Sequence, residues 1–282
     1  MTARTPFGAK PFEREWKFLC ACASPLPSSG GNILALAANL DWDLALELAE
    51  EHSVIGVVAE RLKESGDAGM PVDAREKLQA MMRTQQLFSL SMAAELFRIL
   101  DAYGKAGIET ILVKGPVVSY LAYGNPAVRS YVDLDLLVRD AAILPACRIL
   151  TALGFEADVP EAAILAGKIP GEYLFKRAGA QQIVELHTEK TFRYYPRPMR
   201  IEDLFARRRR VILEGREVPA PCVSFLTSIV AARRGADKSR TRRGPTFPEA
   251  FRRLSGKTAC RTGTCAVLAA AAFVGRLSVT PT

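Results

Sequence analysis

Two aspartates one residue apart, Asp133 and Asp135, stand inside an otherwise apolar run, Tyr131-Val132-Asp133-Leu134-Asp135-Leu136-Leu137-Val138. The run reads as a β-strand, in which side chains two apart share a face; the carboxylates therefore lie side by side while Val132, Leu134 and Leu136 point the other way. Carboxylates this close repel, and sharing a site raises one pKa sharply unless a cation sits between them. A divalent cation meets that need, and Mg2+ is commonly held by one or two carboxylates, water and substrate phosphates, without histidine. By itself, Asp-x-Asp also suits an edge strand whose acids only face solvent. Its neighbours favour a site. Lys114-Gly115 ends the preceding strand, where glycine lets the next helix approach an anion and Lys114 offers a point charge. Arg129 can fork onto phosphate oxygens, and Glu185 offers a third carboxylate for a two-metal clamp around an in-line displacement. His187 shares the face of Glu185 and suits a phosphate contact, orientation of the carboxylate, or a structural place at a strand end. Together these residues describe a place for a triphosphate and Mg2+, with two ions possible.

The elements that must position them follow from periodicity. Residues 1–31 carry Pro6, Pro11, Pro25, Pro27 and Ser28-Ser29-Gly30-Gly31, and read as a flexible N-terminal segment. A helical region is expected over 32–106: a helix from Asp41, a capping residue, to His52; another from Val54 to Leu62; and a long one from Ala74 to Lys105. The apolar stripe of the long helix is read as Leu78, Met81, Met82, Leu87, Leu90, Phe97 and Leu100, a core face rather than a cofactor site. His52 reads as a capping or packing residue. Strands are expected at Ile108 to Gly115, Tyr131 to Val138, Phe155 to Ala157 and Gln182 to His187, with helices at Pro116 to Tyr123 and Ala141 to Leu153. This order predicts an α/β (α+β) fold, a mixed sheet flanked by helices over 107–221 behind an N-terminal helical region.

Composition bounds the function. At 282 residues and 49% hydrophobic, the chain can bury a real core. Six cysteines lack metal-ligand spacing and only two histidines exist to complete a zinc site, which suits reduced thiols in a cytoplasm. Glu13 and Glu15 precede the short apolar patch at Phe18 to Ala23, unlike an export signal, and the run Cys265 to Gly275 falls short of the ~20 residues of a membrane helix; a soluble, cytoplasmic protein is expected. The net charge of +8 is uneven. From Pro196 onward there are 18 Lys and Arg against 6 Asp and Glu, a surplus of 12, whereas residues 1–195 carry 20 against 24. The basic excess therefore lies away from the acidic strand and argues against nucleic acid as substrate. Arg207 to Arg210 could grip an acidic partner or RNA, but no aromatic side chain is interleaved for base stacking.

The ordered set Lys114-Gly115, Tyr123, Arg129, Asp133-Leu134-Asp135-Leu136-Leu137-Val138, Leu153-Gly154-Phe155 and Val184-Glu185-Leu186-His187 resembles the bacterial nucleotidyltransferase-like family of the DNA polymerase β superfold. The likeness runs over roughly Asp41 to Phe205, including His52-Ser53-Val54. It implies a nucleotidyltransferase-type core in which Asp133 and Asp135 bind Mg2+ and Glu185 is the third acid, binding metal or activating the acceptor hydroxyl. The glycine turn would hold the triphosphate of an NTP. The acceptor would be a hydroxyl-bearing small molecule, sugar or protein side chain.

The chain departs from that pattern twice. Such turns usually follow glycine with serine, whereas Gly115-Pro116 removes a hydroxyl and a backbone donor. The last third carries Arg234-Gly235-Ala236-Asp237-Lys238-Ser239-Arg240-Thr241-Arg242-Arg243 where relatives tend to show a His-Gly-x-Lys-His-x-Trp-x-Arg-Leu stretch. Residues 222–282 accordingly read as a basic region, degenerate or partly disordered. Both departures leave open an alternative, a catalytically weak or inactive protein of this fold that acts as a binding or assembly module.

Overall fold

The computed structural model describes residues 12–23, 30–166, 171–177, 179–190 and 200–222. The expectations for 223–282 lie outside the described residues. The chain divides into two compact units, one up to Thr84 and one from Gln85, so that residues 85–106 belong with the sheet.

The first unit is helical. Helix α1 spans Glu13–Ala23, α2 Gly30–Ala37, α3 Trp42–Glu51 and α4 Ile55–Glu64. The segment expected to be loose therefore holds a helix. The reason is packing: Phe18, Leu19 and Cys22 recur at helical spacing on one buried face, and the prolines lie outside the helix. Phe18 meets Trp42 edge-on at 5.6 Å, and buried Glu15 accepts the backbone N–H of Asp41 at 3.2 Å. Asp41 caps α3 by accepting the N–H of Leu44, as its residue type predicts. His52 is a buried packing residue at the end of α3, its ring 5.0 Å from that of Trp16.

Helix α5, Val72–Lys105, has a different buried stripe from the one expected. Leu87 and Leu90 are exposed, while Leu78, Met92, Leu96, Ile99 and Tyr103 are buried. At about 100° per residue the two exposed leucines lie about 150° around the helix from that line. The line itself passes through Gln85 and Ser89, polar residues that hydrophobic periodicity skips. Both are used: Gln85 donates to the carbonyls of Ala127 and Val128 and accepts from Ser130, and Ser89 Oγ lies 2.6 Å from the hydroxyl of Tyr131.

The second unit is built on a five-stranded mixed sheet: β1 Ile111–Leu112, β2 Asp133–Leu137, β3 Phe155–Ala157, β4 Glu172–Arg177 and β5 Ile183–His187, in the order β1-β2-β5-β4-β3. Only β2 and β5 run parallel; the other neighbours are antiparallel. Helix α6 spans Pro116–Tyr123, α7 Ile143–Ala152, α8 Glu161–Leu165 and α9 Ile201–Ala206. The mixed α/β class expected from the sequence is what the chain adopts. One face of the sheet is core: Leu134, Leu136, Phe175, Val184 and Leu186 pack with Met92, Leu96, Ile99 and Tyr103.

In this unit strand β4, helices α8 and α9 and strands β6 and β7 escaped the reading of the sequence. Strand β4 alternates buried Tyr173 and Phe175 with exposed Glu172 and Lys176, a period-two signal. Helix α8 is too short to show a period. Strands β6 (Arg209–Leu213) and β7 (Arg216–Ala220) form a separate hairpin whose Glu214 and Gly215 both have positive φ. The arginine run enters this hairpin: Arg208 pairs with Glu109 at 2.9 Å and Arg210 with Glu217.

Candidate active site

The parallel register of β2 and β5 brings the acidic residues of both strands to one face. Asp133 stands opposite Ile183, Asp135 opposite Glu185 and Leu137 opposite His187. With Leu134 and Leu136 turned into the core, Asp133 and Asp135 must face the other side, together with Glu185 and His187. That side is not open water. Asp135 has no exposed surface, and its Oδ2 has no hydrogen-bond partner among the described residues.

Asp135 Oδ1 is the centre of the cluster. His187 Nε2 lies 3.1 Å from it and 3.5 Å from Glu185 Oε2, and the ammonium of Lys114 is bonded to the same Oδ1. Burial opposes the charge on Asp135, but the hydrogen bond with His187 and the nearby Lys114 hold its pKa below the ordinary value. Burial likewise opposes a charge on His187, yet its contacts with Asp135 and Glu185 raise it to about 9. Asp133 moves the opposite way to Asp135. Burial, then repulsion from Asp135 and Glu185, push it up to about 6, with Lys114 and Arg129 pulling it down. Two carboxylates on one strand face with opposed shifts are the signature of a shared charge site.

Each residue singled out in the sequence has a place here. One ligand atom each from Asp135, Glu185 and His187 lie within 4.8 Å of one another, a grouping able to hold a metal ion. Asp133 lies on the same face and feels both acids through its charge without being part of that grouping. Lys114 reaches Asp135, and Arg129 acts on Asp133 electrostatically while its backbone N–H is accepted by Ser119 Oγ at 3.0 Å. Gly115 caps the N-terminus of α6 at φ 67 and ψ −133, a conformation that side chains avoid. A Cβ there would lie 3.2 Å from the carbonyl oxygen of Asp133, so the turn and the acidic strand touch through their backbones.

The second layer was not apparent from the sequence. Gln85 and Ser89 of α5 hold the stretch from Ala127 to Tyr131 that leads into Asp133, and Ser119 Oγ donates to the carbonyl of Asn125 and accepts from Arg129. The available signal was polar residues at buried-face positions of an amphipathic helix.

No curated protein matches the chain. Among solved structures, the lincosamide antibiotic adenylyltransferase LnuA, lincomycin-bound, is 16% identical with a TM-score of 0.34, over 46% of this chain and 79% of that one. The antibiotic-resistance factor ANT(2'')-Ia in solution is 12% identical with a TM-score of 0.39, over 67% and 91%. The same protein in complex with adenylyl-2''-tobramycin is 15% identical with a TM-score of 0.37, over 66% and 99%. A family model described as an uncharacterised nucleotidyltransferase matches residues 38–238, which includes every residue of the acidic cluster. With the match extending over more than half of its length, the chain belongs to the family of uncharacterised nucleotidyltransferases.

Proposed function

We propose that the protein is a metal-dependent nucleotidyltransferase that moves a nucleoside monophosphate from an NTP to the hydroxyl of a small-molecule, sugar or protein acceptor, with Mg2+ as the expected ion. The observation that carries this reading is Asp135, a fully buried carboxylate with one oxygen unpaired among the described residues, beside Glu185 and His187 and on the same strand face as Asp133. An unpaired buried carboxylate oxygen is costly, and a divalent cation is the partner that the donor set fits. Such an ion, when bound, supplies charge neutralisation for the phosphates and the acceptor oxygen.

The remaining work falls to the chain. Asp133 and Asp135 hold the ion or ions, and Glu185 completes the set or takes the acceptor proton. Lys114 and Arg129 balance the triphosphate, the backbone turn at Gly115 receives it, and His187 orients its neighbours or meets a phosphate. The acceptor oxygen attacks the α-phosphorus as the bond to the β-phosphate oxygen breaks. Pyrophosphate leaves with that electron pair, and the hydroxyl proton passes to Glu185 or to solvent. Positioning and charge neutralisation provide most of the rate.

A second reading has its own observation. Pro116 leaves the first position of α6 without an N–H, one donor fewer for a phosphate, which suits a protein that binds nucleotide without turnover. One experiment separates the two: α-labelled ATP, GTP, CTP and UTP are incubated with the protein and a cell extract, beside calorimetry with and without Mg2+. Transfer of label that the Asp133→Asn, Asp135→Asn double variant abolishes supports the enzyme. Metal-dependent nucleotide binding without transfer supports the binding module, and no metal-dependent binding at all removes both.

A further inference from the structure

We propose that His187 is itself a metal ligand, and that the ion it shares with Asp135 and Glu185 is of the Mn2+ or Co2+ class, with Mg2+ kept to the all-oxygen side at Asp133 and Asp135. The inference rests on the reading of this pocket as a divalent-cation site and makes it more specific. The geometry is the first argument. Adjacent ligands of an octahedral ion at about 2.1 Å stand about 3 Å apart. His187 Nε2 lies 3.1 Å from Asp135 Oδ1 and 3.5 Å from Glu185 Oε2, two of the three ligand–ligand edges of one face of such an ion, and the Lys114 ammonium that now shares Oδ1 would give way to the ion.

The second argument is that the pocket is built rather than incidental. Asp135 is without solvent exposure and its Oδ2 is unpartnered among the described residues, and the His187 side chain is only 8% exposed. The other ring nitrogen, Nδ1, is buried with no hydrogen-bond partner among the described residues. Nε2 is therefore the nitrogen through which the ring meets its polar neighbours, and those neighbours are the two carboxylates. Parallel pairing of Leu137 with His187 and of Asp135 with Glu185 leaves the three groups little freedom to separate.

The third argument is the donor type. Magnesium favours oxygen donors and retained water, while an imidazole shifts preference toward Mn2+, Fe2+, Co2+ and Zn2+. Asp133, the second acid of the strand, is absent from the three-residue grouping and remains free to serve a phosphate-side ion with Asp135. The pocket is thus asymmetric: one side all oxygen, the other two oxygens and a nitrogen.

The test uses the full chain, stripped of metal and loaded with Mn2+ alone. Electron spin-echo spectroscopy should show nitrogen modulation on the bound Mn2+, and 15N-histidine labelling of the unmutated protein should change its pattern. His187→Gln should abolish the modulation and weaken Mn2+ binding about tenfold, while Mg2+ binding changes less than about twofold. Bound Mn2+ with no nitrogen modulation, or modulation unchanged in His187→Gln, would overturn the inference. No bound Mn2+ would overturn the inference alone, because the proposed function stands or falls on Mg2+-dependent nucleotide binding and transfer. Nitrogen-coupled Mn2+ in a protein that transfers no label would leave the inference standing and remove only the enzyme.

Discussion

A carboxylate cut off from water must find its counter-charge inside the protein, and Asp135 finds it in His187 and Lys114. The arrangement makes stability depend on pH in a direction that can be worked out. His187 is raised from 6.5 to about 9, so the folded state binds its proton more tightly than the unfolded state does. The stabilisation is complete below about pH 6.5 and is lost as pH rises through about 9. Asp135, held low, records the same contact from the other side and is not a second contribution. Asp133, raised from 3.8 to about 6, adds a decline at lower pH with the same sign. Urea midpoints measured in EDTA should therefore fall between about pH 6.5 and 9, and His187→Gln should flatten that slope. A midpoint that rises over this interval would show the imidazole to be neutral in the fold.

The elements differ in how openly the sequence announces them. Helix α6 is found at Pro116–Tyr123 as expected, because Pro116 marks its first turn and Gly124, in a left-handed conformation, its end. Strand β2 is legible from Asp-x-Asp in an apolar run, although only Asp133–Leu137 pair as strand. The meeting of Asp135 with Glu185 is not legible locally, since it depends on a parallel register between strands nearly fifty residues apart. The clamp from α5 is hidden for another reason: Gln85 and Ser89 look like breaks in a hydrophobic stripe, whereas they are its hydrogen-bonding part. The turn at Gly115 provides a test at this scale. Gly115→Ala places a side chain at positive φ and against the carbonyl of Asp133, and should cost about 1 to 3 kcal/mol in denaturant unfolding. It should also weaken nucleotide binding, because the acidic strand must shift to make room. An unchanged unfolding midpoint would show that the turn relaxes freely.

Over the whole molecule, charge and topology set the terms on which a ligand arrives. Residues 1–195, which contain the acidic cluster, carry 20 Lys and Arg against 24 Asp and Glu and so offer a polyphosphate no long-range attraction. Nucleotide binding should then rest on the ion and on local contacts. Chelation is expected to lower ATP affinity by about tenfold or more, whereas raising NaCl from about 50 to 300 mM should change it less than about threefold. A steep salt dependence that survives chelation would assign binding to the basic excess beyond residue 195 instead. No described helix is long and apolar enough to cross a membrane.

The strand order β1-β2-β5-β4-β3 also has a consequence in time. During synthesis β5 is the last of the five to leave the ribosome, yet it takes the middle of the sheet. Until Ile183 to His187 emerge, β2 and β4 each lack the neighbour that joins them in the folded sheet. The nascent chain must keep their edges from pairing with each other or with another copy. Arrival of one five-residue strand then closes the sheet and delivers Glu185 and His187 to Asp135 in the same step. The cluster of Asp135, Glu185 and His187 is thus complete only once β5 has emerged.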